Sequence, residues 1–397
     1  MTDTDLLILG GGCSGLSLGL RLAENARPSR TVILESRTAY DNDRTWCFWR
    51  QRSHRFEHLV SEQWSKMAVT SAARSISFDC AANPYQLIPA GRFYAAAQQA
   101  VAQSGHVSLS TGVTVLHPPI FTGGRWNVST SAGTITARRI VDTRPPSASL
   151  AADPLLWQSF YGQEIACERP SFDPTTVGLM HFARSLNGNI MFHYVLPSSP
   201  TCALVETTVF GPHRLGAPDL GVAQADAVAR LCGGAPVRVL REEVGVLPMG
   251  MSAPLAAEEH GYVRVGLMSG AARPSTGYAF QRIQRWADAC AADIGAGREA
   301  RRHQPDPILQ RMMDRLFLRV LRGHPERGPE LFVRMFGDAG ADRVIRFLSD
   351  QGTLADCVTI GLHLPLRLFL GELARSLVQE PTARPPRAAI ATWPDAA

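Results

Sequence analysis

Two groups of residues have types and spacing that could do chemistry. The first is Gly10-Gly11-Gly12-Cys13-Ser14-Gly15, in which Gly10, Gly12 and Gly15 have the G-x-G-x-x-G spacing of a dinucleotide site. Such glycines permit a tight turn, let a pyrophosphate approach the backbone, and let a helix pack closely on a sheet. Ser14 lies in the first turn of the expected helix, whose free N–H groups and dipole favour phosphate. Glu35 ends the next apolar run, 20 residues after Gly15, where a carboxylate can accept hydrogen bonds from a ribose. The second group is a lone acid, Glu206, in the strand-like run from Ala203 to Phe210. On an apolar sheet face it is either solvated or set in a pocket where burial raises its pKa. A carboxylic acid of the latter kind can donate a proton to a poor base.

The elements that must position these groups follow from periodicity. Leu6–Leu9, a Leu/Ala-rich helix to about Ala23, and Thr31–Leu34 form a strand–turn–helix–strand unit. Residues 37–50 have no period and read as a loop anchored by Trp46 and Trp49, or as one wall of a pocket fixed by Asp41, Asp43 and Arg44. A helix over 91–103 and strands over 107–116, 126–130 and 134–141 follow, the last running into Asp142, which is a turn former or a cofactor-adjacent acid. Val177–Ala183, Ile190–Leu196 and Ala203–Phe210, separated by short turns, predict an antiparallel meander. In it Glu206 is the only acid, and tight turns would set His181, Phe192 and Glu206 in one cross-strand row. The stretch 241–250 leads back toward the first unit. The small-residue loop from Gly270 through Thr276 and Gly277 to Tyr278 enters a helix over 279–292 and can receive another polar part of a dinucleotide. Pro307–Arg322 is an amphipathic helix. One face carries Leu309, Met312, Met313, Leu316, Phe317 and Val320, and another Arg311, Arg315, Arg319 and Arg322. It reads as a core helix with a solvated face or as an element lying on an anionic bilayer. Val358–Leu370, broken by Pro365, is a second such candidate, and residues 380–397 are a loose Pro/Ala/Arg tail.

Composition bounds the rest. The chain has 397 residues, 45% of them hydrophobic and 19% charged, and a formal net charge of +5. That length predicts two or three subdomains. The positive charge is nearly all arginine, and no nucleic-acid motif accompanies it. Eight scattered cysteines without a C-x-x-C pair argue against a disulfide framework or a zinc site and for a reducing cytoplasm. Asp3 and Asp5 precede the first apolar run where a signal peptide would carry Lys or Arg. No run of about twenty apolar residues spans a bilayer, so membrane contact would be peripheral.

The sequence resembles the bacterial flavin-dependent lycopene β-cyclases. The matching pieces are the Gly10–Gly15 fingerprint, Tyr40-Asp41-Asn42-Asp43-Arg44-Thr45-Trp46-Cys47-Phe48-Trp49, Gln158-Ser159-Phe160-Tyr161-Gly162, Tyr194-Val195-Leu196-Pro197, Leu204-Val205-Glu206-Thr207-Thr208, Gly245-Val246-Leu247-Pro248-Met249, Arg273-Pro274-Ser275-Thr276-Gly277-Tyr278 and Val344-Ile345-Arg346-Phe347-Leu348-Ser349-Asp350. The resemblance implies an α/β protein. A Rossmann-type FAD-binding domain (1–60, 91–150 and 240–300) would be interleaved with an antiparallel substrate sheet (61–90 and 151–239). A helical region over 301–380 and a tail over 381–397 would follow. It implies FAD, active when reduced, held by Gly10, Gly12, Ser14, Gly15, Glu35, Arg44, Gly270, Thr276 and Gly277, with NADPH or NADH as reductant. Lycopene or a related acyclic carotenoid would be the substrate, Glu206 the catalytic acid, and the cytoplasmic side of the inner membrane the location, with other carotenoid-pathway enzymes as possible partners. Family members carry Leu-Met-Asp-Phe where this chain has Leu179-Met180-His181-Phe182, so His181 would orient Glu206 or line the cavity. Two other activities share these features: a flavin monooxygenase or reductase of an apolar isoprenoid, and a cyclase homologue that has lost catalysis.

Overall fold

A computed structural model describes residues 2–25, 29–145, 154–251 and 261–379. Its first sheet is built on β1 (Thr2–Leu9), whose Leu6, Leu7, Ile8 and Leu9 are all inaccessible to solvent. An unbroken apolar run of this kind suits a parallel strand covered on both faces. β1 lies between β2 (Thr31–Leu34) and β11 (Gly133–Asp142), and β8 (Val107–Ser110) flanks β2, all parallel. β17 (Tyr262–Arg264) joins β11 in parallel beyond the antiparallel β10 (Arg125–Thr130) and β9 (Ile120–Thr122). The helix α1 (Cys13–Ala23) covers this sheet with α2 (Ala90–Gln103) and α4 (Phe280–Gly295) beside it. The strand over 107–116 thus stops at Ser110.

The second sheet has seven strands in the order β16 (Val237–Met249), β12 (Leu156–Cys167), β15 (Cys202–Gly211), β14 (Ile190–Pro197), β13 (Thr176–Phe182), β5 (Lys66–Thr70) and β6 (Ser75–Asp79). All pairs are antiparallel except β13–β5. The predicted meander is its centre. The segment up to Met249 belongs to this sheet, because β16 pairs with β12 along its whole length, so 240–249 lies outside the first unit to which the sequence reading assigned it. One face is covered by α3 (Ala217–Leu231), a helix absent from the sequence reading. The other meets the C-terminal helices α5 (Ile308–Gly323), α6 (Gly328–Gly337), α7 (Ala341–Leu348), α8 (Leu354–His363) and α9 (Leu366–Gln379), in one apolar core with the sheet. Cys167 and Cys232 lie together as a disulfide joining the end of β12 to the end of α3, one pair where sequence spacing suggested none.

The aperiodic stretch 37–50 is not all loop. Thr45–Trp49 is β3, paired with β7 (Tyr85–Pro89), which also pairs with β4 (Glu62–Trp64). Trp46 and Phe48 share one face and Cys47 and Trp49 the other, in a five-residue strand too short and too apolar on both faces for its period to register. This small sheet connects the two larger units. Trp46 and Phe48 stack on Phe280 of α4, while Trp49 meets Tyr278 edge to face.

The amphipathic faces of α5 also differ from the sequence reading. Asp314, Leu318 and Leu321 form its buried line, whereas Leu309 and Met312 are exposed and Met313 and Phe317 are half-buried. Arg273 sets this rotation. Fully buried, it donates to Asp314 through Nε at 3.1 Å and Nη2 at 2.9 Å, to the Phe347 carbonyl through Nη1, and stacks on the Phe347 ring. Pro365 separates α8 and α9, which bend by 105°. Among the described residues no single helix is long and apolar enough to cross a membrane.

Candidate functional site

The glycine turn has the geometry a dinucleotide requires. Gly10 has φ +97°, a left-handed conformation that favours glycine. A Cβ on Gly15 would lie 1.9 Å from the Gly10 carbonyl oxygen, so only glycine lets α1 seat against the turn. Gly12, the N-cap, has open space around it, and no side chain caps the helix. The first-turn N–H groups, with Ser14 among them, are therefore left for a ligand. Glu35 accepts from the Gly11 N–H at 2.8 Å and the Arg37 N–H at 2.9 Å, and Arg37 keeps its carboxyl below the ordinary range against the opposing effect of burial. Tyr40 donates to the Gly11 carbonyl. Arg44 pairs with Asp43 at 2.8 Å at the exposed lip of the same loop. Asp142 acts as a knot: fully buried, it accepts from Arg144 and Tyr262 and closes the strand ends beside Gly10.

The second glycine segment is split. Gly266 packs on Thr143 and near Ser14, and brings Gly270 (φ +101°) with it toward the first turn. Thr276 and Gly277 lie instead against the second sheet, where a Cβ on Gly277 would meet Leu247 at 2.9 Å and Gln158 Oε1 at 3.5 Å. Gln158 Oε1 and Ser269 Oγ are buried without a hydrogen-bond partner among the described residues. Both are next to these glycines, and both fit a polar group supplied by a bound dinucleotide.

Glu206 sits on the sheet face turned toward β3 and the C-terminal helices. The register across the sheet runs Glu243 (β16), Gly162 (β12), Glu206 (β15), Tyr194 (β14). Glu243 is the acid that sequence reading missed. The meander contains one acid, but the sheet is wider, and β16 brings a second onto the same face. Gly162 lies between them, with the side chains of both glutamates crowding the place its Cβ would take. Glu243 Cγ lies 3.2 Å and Glu206 Cγ 3.3 Å from where that Cβ would stand. Thr45 donates to Glu243 Oε2 at 2.7 Å, Arg241 donates to the same oxygen at 2.5 Å, and Arg241 also reaches Thr45 Oγ1 and Glu164. Glu206 accepts from Thr208 Oγ1 at 2.9 Å. Burial first, then the Glu243 charge, pushes the Glu206 carboxyl well above the carboxylate range.

His181 is not in that row. A bulge between Gly178 and His181 turns both Leu179 and Met180 to the inner face, and His181 pairs with His193 rather than lining up with Glu206. It faces α3, in a groove with Asp226 and Arg230. Burial lowers its pKa, leaving a neutral imidazole. Phe192 is opposite Thr208, one inward position away from Glu206.

An apolar cavity of about 280 Å³ runs between the inner sheet face and the C-terminal helices. Trp49, Tyr194, Tyr278 and Phe210 line its inner part, and Leu366, Leu370 and Leu373 its outer part. Tyr194, which lines the cavity, is the direct cross-strand neighbour of Glu206, which lies behind it and does not itself line the cavity. The outer leucines are themselves solvent-exposed, and exposed Leu354, Val358, Leu362, Ile308 and Met312 extend the apolar surface along α8 and α5.

A Rossmann-type nucleotide fold with a glycine turn suited to a dinucleotide, joined to a second sheet that encloses an apolar cavity with the C-terminal helices, defines the class of this α/β protein. The family described as "Lycopene cyclase protein" matches residues 5–372, and the chain belongs to it. A lycopene beta-cyclase of Pantoea ananas is 24% identical over 372 residues, covering 90% of this chain and 93% of the relative. Another, of Paracoccus sp. (strain N81106 / MBIC 01143), is 31% identical over 266 residues, 63% of this chain and 67% of the relative. Among solved structures, the flavin-dependent brominase Bmp2 superposes with TM-score 0.62 at 14% identity, covering 94% of this chain and all of that one. The p-nitrophenol 4-monooxygenase PnpA from Pseudomonas putida DLL-E4 superposes with TM-score 0.59 at 12% identity, covering 95% and 98%. At such identities these structures establish the fold alone.

Proposed function

We propose that the chain is a lycopene β-cyclase that closes the acyclic ends of lycopene into β-rings, a redox-neutral isomerisation in which FAD is bound in its reduced form. The observation that carries this reading is an aromatic-lined hydrocarbon cavity whose Tyr194 is the cross-strand neighbour of Glu206, a buried acid that burial and Glu243 push toward its protonated form. FAD would lie along the Gly10–Gly15 turn, Glu35 and the Gly266–Gly270 segment, with Arg44, Thr276 and Gly277 on the side nearer the cavity. NADPH or NADH would supply its electrons. Bound and reduced, it contributes negative charge that stabilises a nearby cation in a dry site.

The residues of this chain do the rest. The Glu206 O–H protonates the terminal isopropylidene double bond, giving a tertiary cation. A double bond farther along the polyene attacks it and closes a six-membered ring, and loss of a ring proton leaves the β-type alkene. Atoms and electrons balance without an oxidant. Trp49, Tyr194 and Tyr278 line the cavity with aromatic rings, whose π-systems are suited to stabilise positive charge. Burial holds the Tyr194 and Tyr278 phenols neutral, so they line the cavity without adding charge. His181, facing α3, takes no proton in this scheme. The cavity is small beside a forty-carbon chain and accommodates one end segment, with the remainder extending past Leu370 toward the exposed apolar surface. That surface, flanked by Arg311, Arg315 and Arg367, suits peripheral contact with an anionic bilayer from which the substrate is drawn.

The test is coexpression with lycopene followed by pigment separation, and anaerobic turnover with chemically reduced flavin. Cyclic carotenoid formed without oxygen supports the reading, and a requirement for oxygen would assign a monooxygenase instead. Glu206→Gln is expected to keep FAD and fold while abolishing ring closure; normal turnover by this variant excludes Glu206 as the acid.

A further inference from the structure

We propose that Glu243, clamped by Arg241 and Thr45, is a positioning residue that keeps the single proton of a two-carboxyl pair on Glu206. The inference rests on the reading of Glu206 as the acid and assigns a task to a residue outside that reading.

Two buried carboxyls whose side chains crowd one strand position cannot both ionise at ordinary cost, so one of them carries a proton. Which one is decided by their other partners. Glu243 Oε2 receives a guanidinium N–H from Arg241 and a hydroxyl from Thr45, so its oxygen is already taken up as an acceptor by a charged donor. Glu206 receives only the neutral Thr208 hydroxyl. The asymmetry places the negative charge on Glu243 and the proton on Glu206. The remaining groups around Glu206 do not reverse this. Tyr194 on β14 and Cys47 on β3 are held neutral by burial, as is Tyr85 on β7, and Gly162 on β12 has no side chain. Glu164, on β12, pairs with Arg241 on the far side of the clamp.

Gly162 makes the pair possible. Its cross-strand partners are Glu206 on one side and Glu243 on the other. A Cβ there would stand 3.2 Å from Glu243 Cγ and 3.3 Å from Glu206 Cβ and Cγ, a wedge between the two side chains. With glycine, the carboxyls lean together across a strand that would otherwise separate them.

The consequence for the reaction is a return path. When the Glu206 O–H breaks and the substrate C–H forms, Glu206 is left as a carboxylate beside the Glu243 carboxylate. Repulsion makes it a strong base. It is then suited to take the ring proton as that C–H breaks, restoring the starting state with no net proton or electron exchanged.

The sign of the pH effect follows. The protonated Glu206 is the active form, so activity falls as pH rises through its pKa. Removing the Glu243 charge, and leaving Arg241 to act directly on Glu206, lowers that pKa and moves the alkaline limb to lower pH. The experiment uses the full-length, FAD-loaded protein. An infrared pH titration follows the carbonyl band of protonated carboxylic acid, assigned to Glu206 by its absence in Glu206→Gln, alongside the pH profile of lycopene cyclisation. In the wild type the band is expected to persist at pH values where an ordinary carboxyl is fully ionised. In Glu243→Gln it titrates at least about one pH unit lower, about a tenfold loss of protonated acid at a fixed pH above it, with the alkaline limb moving equally. Gly162→Ala, which keeps both carboxyls and Arg241, shifts band and limb in the same direction and decides the matter if Glu243→Gln does not fold. A wild-type band that titrates in the ordinary carboxylate range, or one unmoved by the folded variants, overturns the proposal. A band that behaves as expected in a protein that forms no cyclic carotenoid leaves the charge arrangement standing and removes the cyclase reading instead.

Discussion

Exposed Val358 and Leu362 of α8 offer a direct test of the proposed bilayer contact. Val358 and Leu362 are one helical turn apart and 61% and 64% exposed, and neither lines the cavity. Complete burial of such a side chain is worth about 1.5–3 kcal/mol. Scaled by the exposed fraction, each would contribute roughly 1–2 kcal/mol on entering lipid, and the pair about 2–4 kcal/mol. Val358→Ser/Leu362→Ser should therefore weaken vesicle partition by at least about thirtyfold. Stability should change little, because the replaced surface is already in water. Sedimentation with vesicles of a zwitterionic lipid isolates the apolar contribution. Adding anionic lipid adds a separate, salt-sensitive contribution from the flanking arginines. Cyclisation of detergent-dispersed lycopene should be preserved, since the cavity is untouched, while turnover of vesicle-borne lycopene should fall with the partition. An unchanged partition at all salt concentrations would refute the assignment of this surface to the bilayer.

Arg273→Met should cost about 3–5 kcal/mol, because it leaves Asp314 charged and unpaired in the core. Arg273→Met/Asp314→Leu should recover most of that loss in urea unfolding, and a double variant no more stable than the single would contradict the ion-pair account. His181→Asn should leave cyclisation within about twofold of wild type, since the change falls on the sheet face opposite Glu206 and keeps a neutral polar group there. A collapse of turnover with FAD content and fold intact would return His181 to the chemistry, and assaying pigments from the coexpressing strain is sufficient to see it.

Legibility tracked the sequence distance over which each feature is decided. The Gly10–Gly15 turn was readable because its strand, turn, helix and terminal acid fall within one βαβ unit, where spacing alone fixes which groups meet. The meander was readable for the same reason, since short turns force neighbouring strands to pair. Its register was not. The bulge before His181 shifts that strand by one residue, and because side chains alternate, a one-residue shift sends His181 to the opposite face. No periodicity in Thr176–Phe182 announces it. Glu243 was hidden more deeply. Its meeting with Glu206 requires β12 to pair with both β15 and β16, strands joined through α3, and nothing local in Arg241-Glu242-Glu243 distinguishes the inward acid from Glu242, which accepts from Tyr161 and Gln163 on the exposed face. The signal lay in Gly162: a glycine in the interior of a long strand weakens it unless something needs the space, and here two carboxyls do. The rotation of α5 has the same character. The apolar pattern of Pro307–Arg322 permits several faces, and a buried ion pair with Arg273, 41 residues away, selects the one that leaves Leu309 and Met312 in solvent. For Glu243 and for α5 the determinant is a pairing between distant polar groups, and at Glu243 that is also where the proposed chemistry is concentrated. Hydrophobic patterning builds the layers, and the placement of a few charges between them decides what the layers can do.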